Sequence, residues 1–383
     1  MRTALISDLH LGSASGEDLL RDPGIREVLL EEISSADRLV LLGDAVELRD
    51  LPQPEALERS RPFFEEVGAA LAGRDVVLVP GNHDHHLAEP LLESAELAGE
   101  ELDLEQRSPA AGAAAERIAG WLGEARLEIA YPGLWLHDDV YATHGHYMDL
   151  HLTVPRAECV AAAAVMRGTG HPPDPARPGD YERALRPVYG VSYGLAQTGA
   201  LGRSGGTTRA SERAWRWMSA DGPGGRRPAR RLAAAALARG AIPATVWSLN
   251  RLLGSSFEAD LSARAISRGG IAAAVEMARR LRIGAPHVIT GHNHRAGPRE
   301  GEQPWEIPGG GLLHNTGNWI FTAVLHPPGA RPGPYWPGTV TWLEDSEPPR
   351  RTALLADRGV EDLGALAHGG RVRLTGIASS ELG

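Results

Sequence analysis

Cysteine and long apolar runs are both scarce in this 383-residue sequence. The single cysteine, Cys159, excludes an internal disulfide and a zinc site built from several thiolates. No window reaches about 18 uninterrupted apolar residues, so we expect no membrane-spanning helix. The chain enters a strand-like run at once, without a basic or an apolar leader, so we expect no secretory signal and a cytoplasmic protein.

An excess of basic charge is also lacking. Lys and Arg number 39 against 49 Asp and Glu, which gives a formal net charge of −10. An acidic chain repels the phosphate backbone unless it carries a concentrated basic face, so the composition disfavours nucleic acid as a partner. Hydrophobic residues make up 42% of the chain, which is enough for a full-sized core.

Short apolar runs alternate with helical patterns over the first 150 residues. Thr3–Ser7, Arg38–Leu42 and Asp75–Val79 predict strands, and the segments Ile25–Ser34 and Glu55–Ala72 between them predict helices. Strands that are apolar on both faces are typical of a parallel or mixed sheet covered by helices. The fold class predicted is therefore α/β.

The pattern changes twice further along the chain. Three closely spaced strands are predicted at Arg126–Ala130, Leu134–His137 and Val140–Thr143, with Pro132-Gly133 as a turn signal. Helical periodicity then dominates until about residue 283. Strand patterns return at His287–Thr290, Leu312–Asn315, Ile320–Leu325 and Thr339–Leu343. We therefore predict one core built from residues 1–150 and 284–345, a mainly helical insertion at 151–283, and a tail at 346–383.

Side chains that bind metals follow the strand-like runs directly, in five separate places. Loops after the carboxyl ends of strands converge in an α/β sheet, so these side chains can meet in one site. Each motif alone would also fit a turn or a helix cap, but five motifs after five strands favour a metal site. The candidates, in chain order, are Asp8, His10, Asp44, Asn82, His83, Asp84, His144, His292 and His294.

The residue types suit two divalent ions. Imidazoles favour Zn, Fe or Mn, while carboxylate and amide oxygens suit the harder end of that range. One carboxylate can bridge two ions about 3.5–4 Å apart, an arrangement that activates a water and neutralises phosphoryl oxygens. This chemistry indicates a hydrolase that acts on phosphate esters.

The motifs resemble those of the calcineurin-like metallophosphoesterases. The matching runs are Asp8-Leu9-His10, Gly43-Asp44-Ala45-Val46-Glu47, Gly81-Asn82-His83-Asp84, His144-Gly145-His146 and Gly291-His292-Asn293-His294. Within that superfamily the chain looks closest to the branch of the UDP-diacylglucosamine pyrophosphohydrolases, because of the opening Ser7–Gly12 run, Glu47, and Arg295 after the last motif. Those enzymes usually carry Arg at the position of His83 in this chain. Histidine at that position is the more general phosphoesterase pattern. The resemblance covers roughly residues 1–150 and 284–325.

The resemblance implies a four-layer α/β/β/α sandwich and assigns a role to each candidate. Asp8, His10 and His294 would hold one metal ion, Asn82, His144 and His292 would hold a second, and Asp44 would bridge both. His83 would act near the scissile bond as a catalytic residue, and Asp84 would orient His83. The cofactor would be two divalent metal ions, each of them Mn, Fe or Zn.

The function expected on this basis is hydrolysis of phosphoester or pyrophosphate bonds in a phosphorylated small molecule, by water activated at two divalent metal ions. Three alternatives stay open. They are a UDP-diacylglucosamine-type pyrophosphohydrolase at the membrane surface, a nuclease of the same fold, and a non-catalytic scaffold.

Several weaker signals have two or more readings. Glu47 either supports a metal ligand or adds negative charge to a helix start. His146, Asp149 and His151 are either substrate contacts or partners of the nearby ligands. The insertion carries a basic cluster at Arg226–Arg231 and the tryptophans Trp215, Trp217 and Trp247. It is therefore a substrate lid, a surface for peripheral membrane contact, or a subdomain packed on itself.

Overall fold

The strand-like runs of the sequence join into one mixed sheet in a computed structural model, which describes residues 1–199, 240, 242–345 and 347–367. The strands of this part of the chain are β1 Arg2–Ile6, β2 Arg38–Leu42, β3 Asp75–Val79, β4 Glu105–Pro109, β5 Arg126–His137, β6 Val140–Thr143, β7 His287–Thr290, β8 Trp305–Glu306, β9 Leu312–Asn315, β10 Thr339–Glu344 and β11 Arg350–Ala353. The helices are α1 Pro23–Ile33, α2 Gln53–Ala70, α3 Glu89–Ala98, α4 Ala113–Leu122, α5 Ala157–Thr169, α6 Pro178–Gln197, α7 Ile242–Leu253, α8 Ala263–Arg280 and α9 Val360–Ala367. The predicted α/β class is confirmed.

The strand order places two groups of parallel strands in the same sheet. The order is β11–β10–β1–β2–β3–β5–β6–β7–β9–β8, with β4 paired to β5. Strands β1, β2 and β3 run parallel to one another, and so do β6, β7 and β9. Each of the strands β1, β2, β3, β6 and β7 ends directly before one of the predicted metal-binding motifs.

Strand β5 joins the two groups. Its first half pairs in parallel with β3, from Arg126 to Ile129, and its second half pairs antiparallel with β6, from Gly133 onward. The prediction of two separate strands divided by a turn at Pro132-Gly133 was therefore wrong. The Pro-Gly pair marks the point where one strand exchanges its partner, because proline has no N–H to donate to a continuing ladder.

Other differences from the predicted elements have local causes. The predicted strand Ile320–Leu325 is instead a single bridge from Ile320 to Asp18, followed by a short 3-10 helix at Ala323–Leu325. Strand β4 was not predicted, because its sequence Glu-Gln-Arg-Ser-Pro lacks apolar alternation and its pairing with β5 is long-range. Helices α3 and α4 were also not predicted.

Helix starts and ends follow their local chemistry. The Asp22 carboxylate accepts hydrogen bonds from the backbone N–H groups of Gly24 and Ile25 at 2.9 and 3.2 Å, and Pro23 occupies the first position of α1. Helix α3 ends at Gly99, whose φ of 68° is the left-handed conformation that glycine adopts without strain.

Apolar side chains fill both faces of the sheet. One buried cluster draws on strands of both groups, including Leu5 and Val77 from one and Ala142 and Ile289 from the other, so the sheet curls and these side chains pack together. A larger cluster packs α1, α2 and α4 against β1–β3, and another packs α5, α6 and α8 against β6 and β7. The arrangement is consistent with a metallophosphoesterase α/β fold. The four-layer sandwich remains a prediction.

Between β6 and β7 the described residues contain a 3-10 helix, His146–Leu150, and then helices α5 to α8. The insertion as a separate unit of residues 151–283 stays a prediction. The basic cluster Arg226–Arg231 and the residues Trp215 and Trp217 lie outside the described residues. Among the helices that the structure describes, none has both the length and the apolar character needed to cross a membrane.

One glycine sets how closely two helices approach. A Cβ added to Gly68 of α2 would lie 2.3 Å from the carbonyl oxygen of Leu122, at the end of α4. We therefore predict that Gly68→Ala lowers the free energy of unfolding by about 1–3 kcal/mol, because the helices must separate. Urea denaturation measures this.

A matched control is Gly120→Ala within α4, where an added Cβ would meet no atom within 4 Å. This variant should be neutral or more stable by up to ~1 kcal/mol, since alanine is the better helix former. A Gly68→Ala protein as stable as wild type would contradict the close contact.

Candidate metal centre

Five loops bring the predicted metal ligands to one place. Asp8 and His10 follow β1, Asp44 follows β2, and Asn82 follows β3. His144 follows β6, while His292 and His294 follow β7. Backbone bonds tie the loops together: the N–H of His10 donates to the Asp44 carbonyl at 2.8 Å, and that of Gly291 donates to the His144 carbonyl at 3.0 Å.

Five of these seven residues have a left-handed backbone. The φ angles of Asp8, His10, Asp44, His292 and His294 are 55°, 46°, 52°, 68° and 58°. Such angles cost energy in residues other than glycine, so the surrounding structure must hold them in place. Strain of this kind concentrates at functional sites, where it aims side chains that an ordinary strand end would turn elsewhere.

Glycines in the motifs make room for the ligands. A Cβ at Gly43 would lie 2.2 Å from the His144 ring, and one at Gly81 would lie 2.4 Å from Oδ1 of Asp44. Gly43 also has a φ of 84°. The glycines before Asp44 and Asn82 are therefore required by the close packing of neighbouring loops.

The first group of ligand atoms contains Asp8, His10 and His294. Nε2 of His294 lies 3.1 Å from Oδ1 of Asp8, and the candidate ligand atoms of all three residues lie within 4.8 Å of one another. Asp8 and His10 are buried, and His294 is partly exposed. Imidazole and carboxylate together suit Mn, Fe or Zn.

The second group contains Asp44, His144 and His292, with Asn82 beside them. Nε2 of His144 lies 3.2 Å from Oδ2 of Asp44 and 3.3 Å from Oδ1 of Asn82. Nδ1 of His292 lies 3.0 Å from the same Asn82 atom. Oδ2 of Asp44 also lies 3.8 Å from Nε2 of His10, so one carboxylate oxygen faces both groups.

Outer hydrogen bonds select which ring nitrogen is aimed inward. Nδ1 of His144 donates to the Leu42 carbonyl at 2.9 Å, and Nε2 of His292 donates to Asp149 at 2.8 Å. Nδ1 of His10 donates to Glu47 at 3.0 Å. Each bond leaves the other nitrogen of the ring with a lone pair directed at the centre, as a metal ligand requires.

The buried charges shift one another's pKa. Burial alone lowers the pKa of His10 and His144. Neighbouring carboxylates, Glu47 and Asp44, outweigh burial and raise the pKa to about 10 for His10 and about 9 for His144. Burial likewise opposes ionisation of Asp8 and Asp44, but the nearby histidines hold the pKa of both below its usual value. The site therefore demands positive charge, which divalent cations would supply to unprotonated imidazoles.

Two observations test whether a metal suits this donor set. Nε2 of His10 is buried and has no hydrogen-bond partner among the described residues, which is costly for a polar atom unless a cation or another ligand meets it. Asn82 is the second. With its oxygen inward it faces two ring nitrogens, and with its amide turned it donates to those nitrogens and to Asp44, while the oxygen accepts from Nη1 of Arg49 at 2.9 Å. A cation would select the inward oxygen, since the NH₂ group cannot act as a ligand. The residues fit a metal.

His83 lies at the edge of this centre. Its Nδ1 is 2.5 Å from Oε2 of Glu47, the same oxygen that accepts from His10. Its backbone N–H donates to Oδ1 of Asp44 at 2.8 Å, and its side chain is 23% exposed, whereas Glu47 is buried. Glu47 therefore accepts hydrogen bonds from both the candidate ligand His10 and His83. These contacts explain Glu47 without the alternative that it adds negative charge to a helix start.

Asp84 occupies a different position from the predicted one. Its carboxylate accepts from the backbone N–H groups of Gly81 at 2.6 Å and Ala45 at 2.7 Å, with longer bonds to Asp44 and Val46. Glu47, not Asp84, orients His83 among the described residues. The expectation that Asp84 orients His83 was wrong, because the Asp84 carboxylate turns toward backbone N–H groups of the two loops. Burial and the charge of Asp44 raise the pKa of Asp84 to about 6.

The structure also shows the hydrogen-bond partners of the residues that had more than one interpretation in the sequence. Asp149 is the partner of His292, while His151 bonds the Tyr181 hydroxyl and His146 the Tyr131 hydroxyl. Sequence reasoning missed Arg49 and Glu158, which form an ion pair of 2.6 Å beside the centre. Arg49 follows the second motif by only two residues, but nothing in the sequence links it to Glu158, 109 residues away.

A cavity of about 840 Å³ opens next to the centre. His10, His83 and His294 line its polar end, together with Glu47 and Arg49. Its other walls are mainly apolar and come from the loop before α5, from α5 and α6, from the start of α8 with the loop before it, and from the loop after β9. They include Val154, Ala161, Val165, Val188, Leu261, Ile266 and Ile320.

Comparison with known proteins gives one family match. The comparison with curated proteins found no match to this chain. Residues 1–178 match the family model described as calcineurin-like phosphoesterase. Five of the seven candidate ligands lie within that range, and the structure adds His292 and His294 to the same centre. Family members are generally metal-dependent hydrolases of phosphoesters, and this match supports placing the chain in the calcineurin-like phosphoesterase superfamily.

Proposed function

We propose that this protein hydrolyses phosphoester or pyrophosphate bonds in a phosphorylated small molecule, with water activated by two divalent metal ions. The observation that carries the proposal is the position of Asp44. Its Oδ2 lies 3.2 Å from Nε2 of His144 and 3.8 Å from Nε2 of His10, so one carboxylate adjoins both ligand groups. A shared carboxylate is what a pair of ions needs.

Each group would hold one ion. Asp8, His10 and His294 would bind the first, and Asn82, His144 and His292 the second, with Asp44 shared. When bound, Mn, Fe or Zn would lower the pKa of a water and neutralise charge on the phosphoryl oxygens. The chain's own contribution is to fix the ligands: the outer bonds from Leu42, Glu47 and Asp149 hold the three rings before any ion arrives.

His83 would protonate the leaving oxygen. Glu47 accepts the hydrogen bond from its Nδ1, which fixes the ring, and in the imidazolium form Nε2 would carry the second proton, the one that passes to the leaving oxygen. His83 also lines the cavity, where a substrate would enter. A second reading exists, because His83 with His10 and Asp44 forms a further group that could hold a metal.

The cavity supports a second candidate within the same chemistry, the UDP-diacylglucosamine-type pyrophosphohydrolase. The apolar wall of the cavity includes Val165, Val188 and Ile266. Such a wall would not bind a purely polar substrate, but it would accommodate an acyl group. His83, in place of the arginine usual in that branch, favours the more general phosphoesterase. A nuclease is disfavoured by the acidic balance of the chain.

Activity with added metal tests the proposal. We expect the purified protein to bind two equivalents of Mn by elemental analysis and to hydrolyse members of a panel of phosphomonoesters, phosphodiesters and acylated or plain nucleotide-sugar pyrophosphates. Chelator should abolish turnover and Mn restore it. Asp44→Asn should reduce kcat by more than the ~10–100-fold typical of changes outside the ligand shell, with unchanged circular dichroism.

Each rival gives a different result. Bound metal without turnover of any substrate would favour a scaffold, and salt-sensitive cleavage of DNA would favour a nuclease. Normal activity in Asp44→Asn would refute the shared role of this carboxylate.

The role of His83 has its own test. His83→Ala should keep both metal equivalents and lower kcat by ~10²–10⁴-fold, the usual contribution of a general acid. The loss should be smallest for a substrate with an acidic leaving group, which needs no proton. Loss of a metal equivalent in this variant would instead make His83 a ligand.

Peripheral membrane contact remains part of the proposal for the helical segment. Val191 and Leu195 of α6 and Trp247 and Leu252 of α7 are large apolar side chains that are more than half exposed. Exposed apolar side chains of this size often mark binding surfaces. We expect the protein to sediment with anionic liposomes and Trp247→Ser to reduce the bound fraction, and a protein that stays in the supernatant would exclude this contact.

A further inference from the structure

Arg49 is a buried arginine beside the metal centre whose donors are not all used. Its side chain is 8% exposed, and Nη2 donates to Oε1 of Glu158 at 2.6 Å. Its Nε is buried and has no hydrogen-bond partner in the described part of the chain. A guanidinium carries five N–H donors, and leaving a buried one unpaired is unfavourable, the more so because the group is charged.

Arg49 has a second hydrogen-bond partner, the Asn82 side chain, and binding of a metal ion would break this hydrogen bond. Nη1 lies 2.9 Å from the side-chain amide of Asn82 and can donate to it only when the Asn82 oxygen is turned away from the centre. Once that oxygen faces a metal ion, Nη1 meets an NH₂ group, which accepts nothing. Both Nε and Nη1 then need another acceptor.

The surroundings define what that acceptor is. Arg49 lines the cavity together with His10, His83 and His294, so its guanidinium borders the space that a substrate would fill. Glu47 does not serve it through the side chain, because its oxygens accept from His10, His83 and the Arg49 backbone N–H. Phosphoryl oxygens match the planar fork of a guanidinium, and a buried arginine binds them more strongly than a surface one.

We propose that Arg49 binds the phosphoryl group of the substrate and that Glu158 positions Arg49 for this contact. Neither residue lies in the motifs that carry the family resemblance. The inference rests on the proposed hydrolysis at the same centre and adds a specificity-determining residue to it.

Glu158 makes the helical segment part of the site. It lies in the first turn of α5 and reaches Arg49 across the cavity wall. Burial raises the pKa of Glu158, but the charge of Arg49 outweighs it and lowers the pKa to about 2, so the pair is ionised. A fixed negative charge at Nη2 holds the guanidinium plane in place and leaves the N–H donors of Nε and Nη1, which lie on either side of it, to the substrate.

The test measures binding of inorganic phosphate to the Mn-loaded protein by calorimetry, beside Mn content and turnover. Arg49→Met keeps most of the volume and removes the charge, and we expect it to retain Mn but weaken phosphate binding by ~10–100-fold, the size that hydrogen bonds to charged groups carry. Arg49→Lys keeps the charge without the fork and should weaken binding by at least ~5-fold.

A buried arginine that pairs with a glutamate elsewhere provides the control. Arg26 of α1 is 7% exposed and bonds Glu66 of α2 through Nε and Nη2 at 2.7 and 2.8 Å. Arg26→Met therefore reproduces, away from the centre, the loss of a buried arginine that pairs with a partly exposed glutamate, and it should bind phosphate like wild type. If Arg49→Met does not fold, Arg49→Lys carries the test.

The outcomes separate this inference from the proposed function. Wild-type phosphate affinity in Arg49→Met or in Arg49→Lys would overturn the role of Arg49 even if the enzyme is active. Loss of Mn in Arg49→Met would also overturn it, since Arg49 would then support the ligand Asn82. A wild-type protein that binds phosphate through Arg49 yet hydrolyses nothing would instead contradict the proposed function.

Glu158 is tested by exchange and rescue. Glu158→Gln should raise KM for the substrate and the Kd for phosphate by ~3–10-fold, with little change in kcat or Mn content, because the guanidinium loses one fixed partner. Glu158→Asp should recover part of the affinity. Equal phosphate affinity in Glu158→Gln and wild type would remove Glu158 from the proposal.

Discussion

Lone pairs directed at one small buried volume are the constraint on which the rest of this structure depends. Four imidazoles, two aspartates and one asparagine aim nitrogen or oxygen atoms at the centre, and Asp44 is within 4 Å of ligands from both groups. Such atoms repel one another unless positive charge lies between them. The pKa of His10 and of His144 is raised for the same reason, because the carboxylates draw protons to the site. Divalent cations would meet that demand and provide the chemistry.

The fold holds this repulsive arrangement by fixing the loops from outside. Five ligand residues have left-handed backbones, and backbone hydrogen bonds join their loops to one another. Asp84 contributes by binding several backbone N–H groups of two loops at once, which explains why it is buried without contacting His83. Glycines such as Gly43 and Gly81 then let the loops approach within contact distance of the rings.

The helices between β6 and β7 supply parts of the site that the sheet does not. Glu158 of α5 pairs with Arg49, and Glu182 of α6 bonds His85, Tyr131 and Tyr147 at a buried junction with the core. The same helices form the apolar wall of the cavity. The strand-end loops therefore hold the candidate centre, and the helical segment forms the apolar wall of the cavity beside it.

The sequence by itself determined the α/β class, the strands that precede each motif and the nine candidate side chains, of which the family resemblance implied seven as ligands. Apolar runs that end at Gly-Asp, Gly-Asn or Gly-His are patterns of neighbouring residues, so they can be recognised from the sequence alone. Only the tertiary structure decided that β5 is one strand with two partners, that Glu47 rather than Asp84 bonds His83, and that Arg49 meets Glu158. Each of these depends on contacts between distant segments. A side chain's partner is set by which loops pack together, and no spacing along the chain records that.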